Sequence, residues 1–307
     1  MNLNNKKNII PIVFTFDDNY IVPAGVAIKS LLHSGKRDTW YKIYCLYNNL
    51  SDENRKKLDK IAKINWLKID NNIFANSPVT SEYPVDVYYR LMIHDILPQH
   101  EKIIYSDVDV LFHDDLSEIY NMDLDNAYWA GVPLEKNEKV DDKIISFQKG
   151  NPDDPKYLSG HTKFTENKNE FIFASGFMVI NSKKMRQDNM TQKFLETIKT
   201  FKDRIKMFDL DVLNLACQKN SIKKLPFSFC VFEDILYAKN YRETNSYPFL
   251  EKVFSNKELV KGIINPVISH YTGSNFIRVW DRKEDFQPQP YRIFFDLISQ
   301  SLLQLSY

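Results

Sequence analysis

The chain has 307 residues, 43% hydrophobic, 14% aromatic and 26% charged, the balance of a globular protein with a large core, which excludes a disordered chain. Lys plus Arg number 41 against 40 Asp plus Glu, and the formal charge of +1 gives no electrostatic argument for nucleic acid or an anionic membrane as partner. The three cysteines, Cys45, Cys217 and Cys230, are odd in number and lie in apolar surroundings, which fits buried thiols in a reducing compartment and gives no support to a disulfide framework or a zinc site.

The polar start, Met1 to Lys7, runs directly into a strand, and no apolar run reaches the ~18 residues needed to span a bilayer, so a cytoplasmic location is expected. Ile9 to Phe16 reads as a largely buried strand, and Asp17-Asp18-Asn19-Tyr20 as the turn after it. A helix is expected from near Val22, with Pro23 in its first turn, Val22, Val26, Leu31 and Leu32 on its buried face, and Gly35 at its end. Such a strand-loop-helix start exposes backbone N–H groups and acids where nucleotides often bind. It lacks a glycine-rich fingerprint, so a base or ribose would have to be held by residues such as Asp17, Asn19 and Tyr20. An Asx turn that needs no ligand explains the same residues.

Tyr41 to Tyr47 forms a second expected strand, and Ser51-Asp52-Glu53-Asn54 reads as a capping box opening a Lys-rich helix through Ile64. Trp66 to Ile69 completes a strand-helix-strand-helix-strand series of the doubly wound α/β type. Pro84 opens a helix whose Val87, Tyr88, Leu91, Met92 and Ile96 face the sheet. Arg90 on this helix either pairs with Asp86 at the surface, worth only ~0.3–0.5 kcal/mol, or reaches into the cleft.

The chain is organised around Lys102 to Phe112. There an apolar, β-branched run ends on Asp107 and Asp109, the position at which open α/β sheets bind ligands. If the chain bends after the strand, both carboxylates can offer oxygens to one hard cation such as Mg²⁺ or Mn²⁺; a solvated Asp turn continued by Asp114 and Asp115 is the simpler alternative. Tyr128 to Pro133 suggests another strand, and Glu135 to His161 a long polar excursion over the cleft. Phe171 to Asn181 returns as a strand, with Gly176 marking a bulge or a close backbone approach. Two helices are expected over about Lys183 to Phe201 and Asp209 to Cys217, and N-capping suffices for one of the acids Asp209 and Asp211. Val267 to Gly273 reads as a short strand, whose His270 is either a satisfied core residue or a third ligand beside the two aspartates. Beyond Pro288 and Pro290, Tyr291 to Tyr307 reads as an amphipathic helix that packs on the domain or touches a membrane.

Six stretches, in this order, resemble the family 8 retaining glycosyltransferases, a group that includes bacterial lipopolysaccharide galactosyl- and glucosyltransferases and, more distantly, glycogenin. They are Phe16 to Tyr20 with the helix to Leu31, Tyr89-Arg90-Leu91, Tyr105 to Leu111, Ala174 to Asn181, Asp209 to Asn214, and His270 to Gly273, and the similarity runs from about Ile9 to Trp280. The resemblance implies the GT-A type of α/β fold, a Rossmann-like mixed sheet flanked by helices. It implies one nucleotide-sugar-binding domain over residues 1–285 with a helical segment over 286–307, a UDP-sugar donor, and Mn²⁺ or Mg²⁺. Asp107, Asp109 and His270 then match the metal ligands, and Asp17, Asn19 and Tyr20 the uridine-binding turn. Arg90 matches the donor-contacting arginine, Asp209 the acid near the donor sugar, and Val108 and Gly273 fall within the donor-binding motifs. Glu135 falls where an acid faces the acceptor, and Arg278 stands where the family has a lysine for the diphosphate, after two extra residues. Arg90, Asp209 and Arg278 are thus the implied catalytic group.

Two departures bear on the chemistry. Ala174 stands where Asn is frequent, which removes an amide contact to the sugar, and Leu210 where Gln is common. The implied reaction is metal-dependent, retaining transfer of galactose or glucose from UDP to a saccharide or glycolipid acceptor, in lipopolysaccharide or other surface glycan synthesis. These departures, together with the altered ending around Arg278, keep open a non-catalytic nucleotide-sugar-binding protein of the same fold. A phosphatase using Asp107 as nucleophile would not explain the His270 to Trp280 ending.

Overall fold

The computed structural model describes residues 8–80, 83–137, 166–218, 220–271, 292–294 and 296. Its first strand, β1 (Asn8–Thr15), is apolar on both faces, with Ile10, Ile12, Val13 and Phe14 wholly buried. A strand of that kind needs neighbours on both edges and cover on both sides. The helix α1 (Ile21–Ser34) lies next, and β2 (Thr39–Tyr47), α2 (Asp52–Asp59) and β3 (Ile64–Lys68) build outward from one edge of β1. After a 3-10 segment, Val85–Met92, continuing into α3 (Ile93–Ile96), the chain enters β4 (Ile103–Ser106) on the other edge. Then follow β5 (Val110–Phe112), α4 (Ser117–Asn121), β6 (Trp129–Gly131), β7 (Pro133–Lys136), β8 (Phe171–Phe173) and β9 (Phe177–Ile180). The helices α5 (Ser182–Gln187), α6 (Met190–Phe201) and α7 (Phe208–Ala216) precede the short strands β10 (Ile222–Lys224), β11 (Val231–Phe232) and β12 (Ile268–His270).

Seven strands form the main sheet in the order β10-β6-β9-β4-β1-β2-β3, with β9 antiparallel to both β4 and β6. A smaller sheet, β11-β12-β5, and the ribbon β7-β8 complete the framework. The residues between β4 and β5 therefore lie where the chain leaves the main sheet for the smaller one. No helix among the described residues is long and apolar enough to cross a membrane.

Several expected elements differ in detail. On α1, Val26 and Leu31 are buried as expected, with Ala24, Ala27 and Ile28 beside them in the sequence, while Leu32 is exposed because it falls about 100° round from Leu31. The capping box at Ser51 is only half present. The Ser51 side chain accepts from Asn54 N, but its own N–H donates to Asp18, and α2 stops at Asp59 because Ile64 already belongs to β3. The expected strand Phe171 to Asn181 is two strands in different sheets, broken at Ala174-Ser175-Gly176. The helix expected over Lys183 to Phe201 is likewise divided, since Asn189 adopts φ 52° between α5 and α6.

The cysteines are buried and free. Most of the expected excursion, residues 138–165, lies outside the described residues; Glu135 itself is in β7. Gly273 and Arg278 also lie outside them, as does most of the C-terminal segment. Of that segment, Phe294 meets His33 edge to face at 5.7 Å and packs beside Val26, Leu111 and Tyr271.

Candidate active site

The carboxylates of Asp107 and Asp109 are brought together with His270 by strand pairing. In the antiparallel β5/β12 pair, His270 lies opposite Val110, and Tyr271 N–H donates to Asp109 O at 2.8 Å. A residue 161 positions away in sequence thereby places Nε2 3.2 Å from Asp109 Oδ1. One ligand atom from each of Asp107, Asp109 and His270 lies within 4.8 Å of the others.

Gly176 explains how these groups fit. Its carbonyl accepts from Asp107 N–H at 2.7 Å, and a Cβ at this position would stand 2.8 Å from His270 Cε1 and 2.9 Å from Asp107 Oδ2. Any side chain would wedge the acid and the imidazole apart. Gly176→Ala is expected to cost about 1–3 kcal/mol in thermal or denaturant unfolding, the usual result of forcing atoms into a filled site. A variant with unchanged stability and unchanged Asp107 and His270 positions in a crystal structure would refute that expectation.

Behind the cluster lies Arg90. It is 9% exposed, with Nη2 2.9 Å from Asp107 Oδ1 and Nη1 3.2 Å from Asp209 Oδ2. Nη1 also donates to Ser175 O at 3.0 Å, Nε donates to Val87 O at 3.1 Å, and the guanidinium lies 4.4 Å over the Tyr105 ring. The Asp86 surface-pair alternative is thus overturned: the guanidinium is buried and its fork spans Asp107 and Asp209. The Arg90 pKa is raised, because attraction from Asp107 and Asp209 outweighs the burial that alone would lower it.

Burial pushes the Asp107 carboxyl upward, against the lowering by Arg90 and with a further push from Asp109. Burial likewise takes Asp209 up to about 6, against Arg90. Burial opposes the His270 imidazolium, yet the neighbouring Asp109 holds it well above the usual histidine range. Two carboxylates and one imidazole whose ligand atoms converge within 4.8 Å are a donor set that fits a divalent cation of the Mn²⁺ or Mg²⁺ kind.

The cluster opens on a cavity of about 420 Å³. Asp17, Asn19 and Tyr20 line it together with Arg90, Asp107, Val108, Asp109 and Asp209. The Asx turn is present as well, since Asp17 Oδ1 accepts from Asn19 N at 3.0 Å. At the head of α7 the two acids divide: Asp211 accepts from the backbone N–H groups of Lys206 and Met207, while Asp209 reaches Arg90. Glu135 is buried in β7 and is not among the residues that line the cavity.

Sequence reasoning missed three contributors. Tyr105 donates from its hydroxyl to Asp107 Oδ1 at 2.7 Å, and its place two residues before Asp107 on one strand face was the available signal. Ser175 presents its carbonyl to Arg90 from the break between β8 and β9. Phe208 lines the cavity at φ 47°, stacked on Tyr83 with ring centroids 5.0 Å apart, and nothing in its neighbourhood announced a left-handed residue. Leu210 lines the cavity with an apolar side chain, and Ala174 is buried in the core and does not line it.

A mixed sheet with helices on its faces, and with an acidic crossing between two sheets above a cavity, defines an α/β protein of the GT-A class. It superposes on the crystal structure of galactosyltransferase LgtC in complex with donor and acceptor sugar analogs with TM-score 0.68 and 20% identity, over 97% of each chain. The chain belongs to glycosyl transferase family 8, whose family model matches residues 11–282, and it is a glycosyltransferase. It is 26% identical over 262 residues to general stress protein A of Bacillus subtilis, covering 79% of this chain and 84% of that one. To a lipopolysaccharide 1,2-glucosyltransferase of Escherichia coli it is 25% identical over 268 residues, covering 84% and 69%.

Proposed function

We propose that the protein transfers a hexose, galactose or glucose, from a UDP-sugar to a saccharide or glycolipid acceptor with retention at the anomeric carbon, in the synthesis of lipopolysaccharide or another surface glycan. The observation that carries this reading is the Asp107, Asp109 and His270 cluster, whose two acids open into the cavity shared by Asp17, Asn19, Tyr20, Arg90 and Asp209. The resemblance to a lipopolysaccharide glucosyltransferase supports the sugar class. Working in the cytoplasm, with residues 286–307 packed on the domain or resting on the membrane, belongs to the same reading.

Asp107, Asp109 and His270 would hold Mn²⁺ or Mg²⁺, and the ion when bound supplies Lewis-acid stabilisation of the departing diphosphate. Asp17, Asn19 and Tyr20 would take the nucleoside, together with Val108 and Gly273. Arg278 would add positive charge at the diphosphate, in a fork where the family has a lysine. Glu135 is assigned to the acceptor side from its motif position alone. As the C1–O bond breaks, the anomeric carbon becomes cationic, and the carboxylate of Asp209, fixed by Arg90, is the group nearest in chemistry to stabilise it. Leu210 has no lone pair and cannot serve as a nucleophile, so retention would follow either from Asp209 acting as the nucleophile or, as this reading takes it, from attack on the face that UDP leaves, with Asp209 orienting the sugar and stabilising positive charge.

A donor screen following UDP release with Mn²⁺ present, with the product's anomeric configuration read by NMR, tests the proposal. An inverted product discards the mechanism, and saturable binding without turnover of any UDP-sugar returns the non-catalytic alternative.

A pH dependence follows from Asp209. With its carboxyl at about 6 it is ionised at neutral pH and takes up a proton as pH falls through that value. The rate constant kcat/KM is expected to fall along an acid limb centred near 6, and Asp209→Asn to lose that limb. Stability moves oppositely. The folded state holds this proton more tightly than the unfolded chain, so the group's contribution is greatest below about 4, declines from 4 to 6 and is lowest above 6.

A further inference from the structure

We propose that Cys230 is a positioning residue, whose sulfur accepts the Nδ1 proton of His270 and so keeps the Nε2 lone pair directed at the ion site. The inference rests on the ion site of the proposed function and extends it to a residue that no motif marked. Cys230 is buried and its Sγ lies 3.4 Å from His270 Nδ1. Two residues on, Phe232 stacks on the same imidazole with ring centroids 6.1 Å apart and planes at 24°. On the opposite ring nitrogen, Nε2 lies 3.2 Å from Asp109 Oδ1, and Gly176 closes against Cε1.

The direction of the sulfur contact follows from what an ion needs. If the thiol donated to Nδ1, a neutral imidazole would carry its proton on Nε2, between the ring and Asp109, and that nitrogen could not ligate. When an ion takes the place of the Nε2 proton, the remaining proton sits on Nδ1, the sulfur accepts its hydrogen bond, and Nε2 faces Asp107 and Asp109. Histidine ligands ordinarily give their second N–H to a carboxylate, a backbone carbonyl or water. Here the described residues offer a thiol in that place, a weaker acceptor whose burial removes competition from solvent.

The tautomer is read directly in the wild-type protein by nitrogen NMR of His270 with Mg²⁺ bound, which is diamagnetic and needs no turnover. An Nδ1–H imidazole is expected, and an Nε2–H imidazole overturns the proposal. In parallel, Mn²⁺ binding is measured by the electron paramagnetic signal of the free ion. Cys230→Ala is expected to bind about tenfold more weakly, while Cys230→Ser, which keeps an acceptor at the same place, recovers most of the loss. Equal affinity in wild type and Cys230→Ala, with both folded by thermal melting, overturns the role of the sulfur and leaves the ion site standing. Absence of Mn²⁺ binding by the wild type itself overturns the ion site and this inference together.

Discussion

Asp109→Asn is expected to lower UDP-sugar turnover by at least ~100-fold, in line with the removal of a single group that stabilises charge in a transition state. The substitution keeps the shape and deletes the charge. The Asp109 backbone carbonyl still receives Tyr271 N–H, so the β5/β12 pairing that carries His270 is preserved and the loss belongs to the site. Excess chelator should reproduce it in the wild type, and added Mn²⁺ should restore wild-type activity but not that of the variant. Full turnover in excess EDTA would remove the ion from the proposed reaction.

Arg90→Ala is expected to destabilise the fold by about 3–5 kcal/mol, because it strips the counter-charge from the buried Asp209 and the half-buried Asp107. Asp107 and Asp209 both touch this guanidinium, and Asp209 Oδ2, sealed from solvent, has Arg90 as its cation without an aligned hydrogen bond. The effect should depend on pH. In the variant the Asp209 carboxyl rises further above its value in the unfolded chain, so protonation relieves the fold and the gap to wild type narrows toward pH 5. Arg90→Lys should recover part of the stability, since the charge returns without the fork that spans Asp107, Asp209 and Ser175. Denaturant unfolding at pH 7.5 and pH 5 checks this, and equal stability of Arg90→Ala and wild type at the higher pH would show that the acids are neutral there.

Much of the framework was readable because it rests on local patterns. β1, α1, β2 and β3 follow from apolar runs interrupted by turn residues, and the motif order around Asp107, Asp209 and His270 pointed to the family that the comparisons then established. Breaks within elements were harder. The interruption at Ala174-Ser175-Gly176 lies inside a continuous apolar run, and its cause is that β8 and β9 belong to different sheets, which no window of sequence contains. The turn at Asn189 and the left-handed Phe208 are backbone choices imposed by packing against distant elements.

What the sequence determined by itself was the chemical inventory and its order: two acids at a strand exit, an acid at a helix head, a histidine near a strand end, and glycine where a side chain might have stood. What only the tertiary structure decided was which of these meet. The register of β5 against β12 sets His270 beside Asp109, and the reach of a buried Arg90 joins Asp107 to Asp209. Cys230 joins His270 for the same reason. Distances of this kind are fixed by pairing and burial between elements apart in the sequence, and local propensity carries no information about them.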